Sequence, residues 1–230
     1  MKRSELNAIL QENVRFIESM NFKLPPFAFW STEDWKSKDS RYDEIRDNML
    51  GWDITDFGSS DFHKVGLLMF TIRNGSMRDK RYPKPYAEKL LITEENQVTP
   101  FHYHYSKMED IINRGGGVLL AKVYNRTGDD QLDLKSDVVI CKDGFRDTVP
   151  AGSIVRVEPG ESITFQPGVY HSFWGEEGRG KLLIGEVSKV NDDRIDNHFL
   201  NTSGRFPDII EDEEPLYLLY QDYAQMNADE

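Results

Sequence analysis

The chain has 230 residues and a formal net charge of -12, with 38% hydrophobic and 30% charged residues. This length suits one domain with its own core, and no apolar run approaches the roughly 20 residues of a membrane-spanning helix. The excess of negative charge argues against nucleic-acid and anionic-membrane partners, because both attract cationic surfaces.

The first predicted element is an amphipathic helix. From Ser4, a suitable N-cap, apolar residues recur at helical spacing until the proline pair that begins at Pro25. The charged and aromatic stretch 30–52 has no clean period, and we interpret it as helix or loop packed on the outside of the rest of the chain. Residues 1–58 are therefore predicted to form an N-terminal helical extension.

After Gly58 the sequence changes to short runs rich in β-branched and aromatic residues, separated by Gly, Pro, Asn and Asp. Short strands without a second helical block predict one antiparallel double-sheet barrel over residues 59–230. The stretch 125–152 is long enough to hold an extra hairpin. The predicted strands are 65–72, 89–93, 100–105, 117–124, 137–141, 153–157, 162–165, 171–174 and 181–188.

Two histidines in one predicted strand carry the strongest chemical signal. His102 and His104 stand at i and i+2 in FHYHY, a spacing that places both imidazoles on the same face of the strand. Glu109 follows after a short turn and can swing back toward them, and His171 lies on a separate predicted strand. Two inward imidazoles beside a carboxylate are hard to pack unless they share an ion. Three imidazoles and one carboxylate form a ligand set for a first-row divalent metal.

The pattern HxHx4E that begins at His102, followed by the PGx2H pattern that ends at His171, resembles the paired motifs of the cupin superfamily. There are departures from the usual pattern. Gln97 and its predecessor stand where glycine is usual, a proline directly precedes Gly168, and Gly175 stands where Asn is common. None of these positions is a predicted ligand, so the departures leave the predicted metal site intact. The resemblance implies a mainly β fold with a single cupin barrel.

Longer segments resemble one family within that superfamily, the D-lyxose isomerases. That resemblance implies aldose–ketose isomerisation with Mn²⁺, or with Co²⁺, Fe²⁺ or Zn²⁺, on D-lyxose and D-xylulose, with D-mannose and D-fructose as a side reaction. Residues and spacing alone indicate only a mononuclear metal cupin, so a dioxygenase, a decarboxylase and a non-catalytic sugar-binding cupin remain alternatives. The segments are LPPFAFW, LGWDITDFG, LLMFTIRNG, TPFHYHYSKMEDIINRGGG and GEVSKVNDD, and they cover nearly the whole chain.

An isomerisation of this kind moves a hydrogen between C1 and C2 and a proton between O1 and O2, so it needs an acid and a base. Glu186 points into the barrel if it shares a face with Leu182 and Ile184, and it is then either the proton shuttle or the partner of a structural cation. Lys89 either faces inward and donates to a sugar oxygen or to a ligand carboxylate, or is an ordinary strand-edge lysine. Lys107, in the ligand loop, either reaches the substrate or is solvated.

Three further positions have two interpretations each. Gln166 stands just before the turn that leads to His171, where it hydrogen-bonds a sugar hydroxyl or stabilises the turn. Phe173 either walls the pocket or belongs to the core. Asp196, with the other aspartates of NDDRIDN, either closes over the barrel mouth or lies in a surface turn.

The end of the chain is strongly acidic. Residues 208–230 hold eight carboxylates and no Lys or Arg, and we interpret them as a solvated surface. The lone cysteine, Cys141, excludes an internal disulfide and a cysteine-based metal site, and the first residues show no secretory signal, so we expect the cytoplasm. Open barrel edges favour a homodimer, and the expected small-molecule partner is a sugar.

Overall fold

The computed structural model describes residues 1–190, 192–201, 204 and 207–226. Within these residues, no helix is both long enough and apolar enough to span a membrane. The elements in chain order are α1 (Arg3–Ser19), α2 (Thr32–Lys36), α3 (Asp43–Asp47), β1 (Gly51–Thr55), β2 (Leu67–Arg73), β3 (Tyr86–Thr93), β4 (Thr99–His104), β5 (Glu109–Gly116), β6 (Leu119–Arg126), β7 (Leu132–Asp133), β8 (Val138–Lys142), β9 (Phe145–Val149), β10 (Ile154–Val157), β11 (Ser162–Phe165), β12 (Val169–Gly175), β13 (Leu182–Lys189), α4 (Asp193–Asp196), β14 (Asn197–Phe199) and α5 (Tyr223–Met226).

The strands form two antiparallel sheets that enclose a common core. The larger sheet has the order β1-β2-β3-β13-β5-β11-β8-β9, and the smaller one has the order β10-β6-β12-β4-β14, with β7 beside β6. Apolar side chains of the larger sheet, such as Leu91 and Ile111, meet those of the smaller sheet, such as Ala121 and Val123. The predicted mainly β fold, a single cupin barrel preceded by a helix, is confirmed.

Strands β2 and β3 are buried on both faces. Leu67 and Met69 belong to the core between the sheets, whereas the alternate residues Leu68 and Phe70 pack with α1 on the outside. Burial on both faces explains why the runs LLMF of β2 and LLI of β3 are continuously apolar rather than alternating. That residues 1–58 form a distinct extension stays a prediction.

The acidic segment near the end of the chain binds the start of α1. The helix begins at Arg3 rather than after Ser4, and its N-cap side chain makes no capping hydrogen bond. Instead Asp212 accepts hydrogen bonds from the backbone N–H and the hydroxyl of Ser4, at 2.9 and 2.8 Å. Glu211 accepts two from the Arg3 guanidinium, at 2.8 and 2.7 Å. Glu211 and Asp212 are exposed as predicted, and they also stabilise the positive end of a helix dipole. For Asp222 the prediction of a solvated surface was wrong, because that side chain is 8% exposed and contacts Arg3. Residues 229–230 lie outside the described residues.

Other element boundaries also differ from the prediction. Helix α1 ends before the proline pair because Asn21 adopts a φ of 58°, a left-handed conformation that commonly ends helices. The predicted strands do not include β1, β5, β7, β9 and β14. Strand β5 has the sequence EDIINRGG, which does not alternate polar and apolar residues, and it is held on both sides by pairing with β11 and β13. The extra hairpin expected within 125–152 is present as β8 and β9.

Candidate metal centre

Three strands bring the four candidate ligands together. His102 and His104 lie on β4, and His171 on β12 is the register partner of His102. Glu109 is the first residue of β5. The candidate ligand atoms of the four side chains all lie within 4.8 Å of one another, and each residue is at most 7% exposed.

Backbone hydrogen bonds orient two of the imidazoles. Nδ1 of His102 donates to the carbonyl oxygen of Pro100 at 2.9 Å, and Nδ1 of His171 donates to that of Val169 at 3.0 Å. Because a carbonyl oxygen only accepts, each Nδ1 carries the proton and each Nε2 has a free lone pair. Nε2 of His171 nevertheless lies 3.2 Å from Oε1 of Glu109. A lone pair facing a carboxylate oxygen is repulsive unless a cation lies between them, so the donor set fits a divalent metal.

Burial and neighbouring charges set the protonation of these groups. Burial, followed by the nearby His171 and His104, holds the pKa of His102 well below its usual range, and burial also lowers the pKa of His171. For Glu109, burial opposes ionisation, but Lys107 and His104 together outweigh it and hold its pKa well below the usual range. Neutral imidazoles at His102 and His171 with an ionised carboxylate at Glu109 suit the binding of a metal.

A network of buried lysines and glutamates adjoins the ligands. Nζ of Lys107 lies 2.7 Å from Oε2 of Glu109 and 3.0 Å from Oε1 of Glu186. Nζ of Lys89 lies 3.4 Å from the same Oε1 of Glu186, its register partner across β3 and β13. Lys107 therefore connects a candidate metal ligand to the one carboxylate of the KLLIGEVS run.

A cavity of about 270 Å³ opens beside these groups. It is close to the small end of ligand pockets, which span about 300–1,000 Å³. Charged groups line one part of it and apolar or hydroxyl side chains the rest, a combination that suits a small polar molecule. The lining residues are Thr55, Phe57, Leu67, Met69, Lys89, Leu91, Thr99, His102, His104, Lys107, Glu109, Ile111, Phe173, Glu186, Asn197, Phe199 and Gly204.

Of the predicted catalytic and substrate-binding residues, four line this cavity and one does not. Lys89, Lys107, Phe173 and Glu186 line it. Gln166 lies outside it, exposed, with its amide nitrogen 3.9 Å from the sulfur of Met108. The preceding residue on β11 faces the core, so alternation turns Gln166 outward.

The strand that completes the wall was not predicted from the sequence. Asn197 and Phe199 of β14 line the cavity and pair with His104 and His102 of β4. The ring of Phe199 stacks on that of His102, with centroids 5.3 Å apart. Alternation in Asn-His-Phe was the available signal, but three residues are too few to establish a period. Asp196, just before this strand, is buried at 8% exposure rather than placed in a surface turn.

Comparison with known proteins agrees with this arrangement. A model of the D-lyxose isomerase family matches residues 1–223. The chain is 48% identical over 229 residues to a D-lyxose/D-mannose isomerase of Serratia proteamaculans, covering 99% of this chain and 100% of that one. It is 46% identical over 226 residues to that of Escherichia coli O157:H7, covering 98% and 99%. The solved L-ribose isomerase of Cellulomonas parahominis shares the fold, with a TM-score of 0.61 at 16% identity over 91% of this chain and 98% of that one. The chain therefore belongs to the D-lyxose isomerase family of aldose–ketose sugar isomerases.

Proposed function

We propose that the protein interconverts D-lyxose and D-xylulose, and as a second pair D-mannose and D-fructose. The proposal includes a divalent cation held by His102, His104, Glu109 and His171. The observation that carries it is the buried cluster of four ligand atoms at a small cavity that also contains two lysines and a glutamate. The names of the curated relatives, D-lyxose/D-mannose isomerases, support the choice of sugars.

The proposed cation is Mn²⁺, with Co²⁺, Fe²⁺ or Zn²⁺ as alternatives. A divalent cation in this site supplies a Lewis acid that polarises the sugar carbonyl and stabilises the negative charge that develops during proton transfer. Imidazole and carboxylate ligands suit several of these metals. Adding each metal separately to chelator-treated protein, and comparing the sugar turnover, identifies the preferred one.

Glu186 is the proposed proton shuttle. Converting the aldose to the ketose removes the proton on C2 and places one on C1, while the proton of the C2 hydroxyl is lost and the oxygen of C1 gains one. The Glu186 carboxylate takes the C2 proton and returns it to C1. Its support is its position in the cavity wall, its 5% exposure and its contacts with two ammonium groups.

The two lysines are proposed to orient Glu186 and to donate hydrogen bonds to sugar oxygens. Both Nζ atoms contact Oε1 of Glu186, so neither can move without disturbing that carboxylate. Phe173 is proposed to give the carbon skeleton of the sugar an apolar surface, since it lines the cavity at 2% exposure. Gln166 has no part in this proposal.

The first experiment is metal reconstitution without oxygen. Protein stripped with a chelator receives Mn²⁺ under anaerobic conditions, and ketose formation from D-lyxose and D-mannose is measured. We expect His171→Ala to abolish turnover and His63→Ala, which changes an exposed histidine that does not line the cavity, to retain it.

Each alternative gives a different result in the same assay. Turnover that requires oxygen would favour an oxygen-dependent metal cupin. Sugar binding without any turnover would favour a non-catalytic cupin. Tight Mn²⁺ binding with no ketose from either aldose would contradict the isomerase proposal.

A cytoplasmic homodimer completes the proposal. Strand β9 is the last of the larger sheet, and Val139 and Phe145 on the β8–β9 hairpin are 50% and 68% exposed, a surface that a second copy would cover. Cys141 is a free thiol, as is usual in a reducing compartment. Light scattering over a range of protein concentrations tests the dimer, and a monomer at every concentration would contradict it.

A further inference from the structure

One carboxylate ties α4 to the loop that joins β4 to β5. Oδ1 of Asp196 accepts hydrogen bonds from the backbone N–H and the hydroxyl of Ser106, at 2.9 and 2.8 Å. Oδ2 accepts from the backbone N–H of Lys107 at 2.9 Å, and the Asp196 carbonyl accepts from the N–H of Tyr105 at 3.0 Å. A single buried residue thus holds three consecutive residues of the loop that separates two candidate metal ligands from a third.

The strand that follows Asp196 directly forms part of the cavity wall. Asn197 pairs with His104 and Phe199 pairs with His102, and both side chains line the cavity. On the other face of β14, Nδ1 of the intervening histidine lies 3.0 Å from the Tyr105 hydroxyl. Contacts on both faces of β14 therefore connect it to β4 and to Tyr105, the residue that follows β4. Asp196 directly precedes β14.

The same loop also places the lysine that bridges two carboxylates. The backbone N–H of Lys107 is held by Asp196, while its Nζ contacts Glu109 and Glu186. Two backbone N–H groups and a hydroxyl converge on one side chain, and only an ionised carboxylate offers acceptors to all three. An amide in its place would turn N–H donors toward N–H donors.

We propose that Asp196 is a positioning residue that holds the ligand loop and the β14 wall as one unit, so that metal binding and ordering of the cavity wall depend on each other. Mutating a residue that orients a metal ligand without binding the metal itself commonly lowers metal affinity or activity by about 10- to 100-fold. Coupling of this kind is reciprocal: if an ordered β14 increases the affinity for the metal, then bound metal favours the ordered β14 to the same extent. The inference rests on the proposed function of the same site, but its main measurements need no sugar turnover.

The test compares Asp196→Asn with Asp222→Asn. Asp222 is a matched control, because it is also 8% exposed and also accepts from a backbone N–H, that of Leu219 at 3.0 Å, but its carboxylate contacts Arg3, at 3.2 Å, instead of the loop between β4 and β5. Both variants are stripped with chelator and titrated with Mn²⁺. We expect Asp196→Asn to weaken Mn²⁺ binding by roughly 10- to 100-fold and to raise the KM for D-lyxose. Asp222→Asn should lower Tm and leave both quantities unchanged.

A measurement on the unaltered protein covers the case in which Asp196→Asn does not fold. Mn²⁺ should slow hydrogen exchange at the backbone amides of Ser106 and Lys107 and also at those of β14, while the β8–β9 hairpin is unaffected. Identical exchange in β14 with and without Mn²⁺ would overturn the proposal. So would an Asp196→Asn variant whose Mn²⁺ affinity and KM stay within about twofold of the parent, since a supporting role predicts more.

These outcomes separate the two proposals. A parent that binds Mn²⁺ but converts no sugar contradicts the isomerase function, and the affinity and exchange measurements still decide the role of Asp196. A parent that binds none of Mn²⁺, Co²⁺, Fe²⁺ and Zn²⁺ overturns both.

Discussion

Two clusters of buried charge differ in what surrounds them. At the start of α1, the Arg3 guanidinium lies between Glu211, at 2.7 Å, and Asp222, at 3.2 Å. The Arg3 side chain is 3% exposed, but that of Glu211 is 57% exposed, so water reaches this cluster from one side. It joins two segments that are distant in sequence and lines a wide surface pocket, not the cavity beside the candidate metal ligands.

The second cluster is almost fully buried. Lys89, Lys107, Glu109 and Glu186 have side chains that are 3% to 6% exposed, and each of them lines the cavity. Burying so many charges together adds little to stability, because desolvation offsets their attraction. A partly exposed ion pair can thus be explained by its contribution to the fold, whereas a buried charge cluster that lines a cavity indicates a chemical role.

The largest expected effect comes from Glu186→Gln. Removing the proposed base should lower kcat on D-lyxose by roughly 10²- to 10⁴-fold, while the affinity for Mn²⁺ stays close to that of the parent. Glu176→Gln is the matched control, because that glutamate pairs with Arg156 outside the cavity. Steady-state kinetics with metal-loaded protein measures both, and a loss of less than about tenfold would remove Glu186 as the base.

The next effect is on stability alone. Arg3→Met leaves the carboxylate of Asp222, whose side chain is 11% exposed, without its cation. We expect the free energy of unfolding to fall by about 3 kcal/mol, the lower end for a broken buried pair, with kcat and KM unchanged. Urea unfolding and kinetics together check this, and a large change in kcat would show that the two clusters are not independent.

A smaller effect, on kcat/KM, distinguishes the two lysines of the buried cluster. Lys107 contacts the candidate ligand Glu109 at 2.7 Å and Glu186 at 3.0 Å, whereas Lys89 contacts Glu186 at the longer distance of 3.4 Å. Lys107→Met should therefore lower kcat/KM by about tenfold more than Lys89→Met, a difference close to one charged hydrogen bond. Equal losses in the two variants would mean that Lys107 does not act through Glu109.

The smallest effect depends on pH. The hydrogen bond from Arg3 lowers the pKa of Glu211, so this pair adds stability above the unfolded pKa of about 4.3 and loses it as pH falls through the lower folded value. Glu211→Gln should lower the free energy of unfolding by about 0.5 kcal/mol or less at pH 7, because the Glu211 carboxylate is 57% exposed. The Tm difference between parent and variant should shrink as pH is lowered from 7 toward 3, and a constant difference would contradict the assignment.

The candidate ligands could be located from sequence because their signal is local. His102 and His104 share a face by strand alternation alone, and Glu186 faces inward with its apolar neighbours for the same reason. The placement of β14 could not be predicted, because its three residues become a strand only by pairing with β4. Asp196 was ambiguous for a related reason, since its partners lie about 90 residues earlier and no local pattern records them.

The contact between Arg3 and Glu211 also bears on how the chain reaches its fold. The two residues are separated by 208 positions. At a synthesis rate of about 5–20 residues per second, Glu211 emerges roughly 10 to 40 s after Arg3. Closing so long a loop is slow compared with forming a helix. Helix α1 must therefore wait for residue 211 before its N-terminal turn is anchored, so this docking step follows synthesis of all the strands of the barrel.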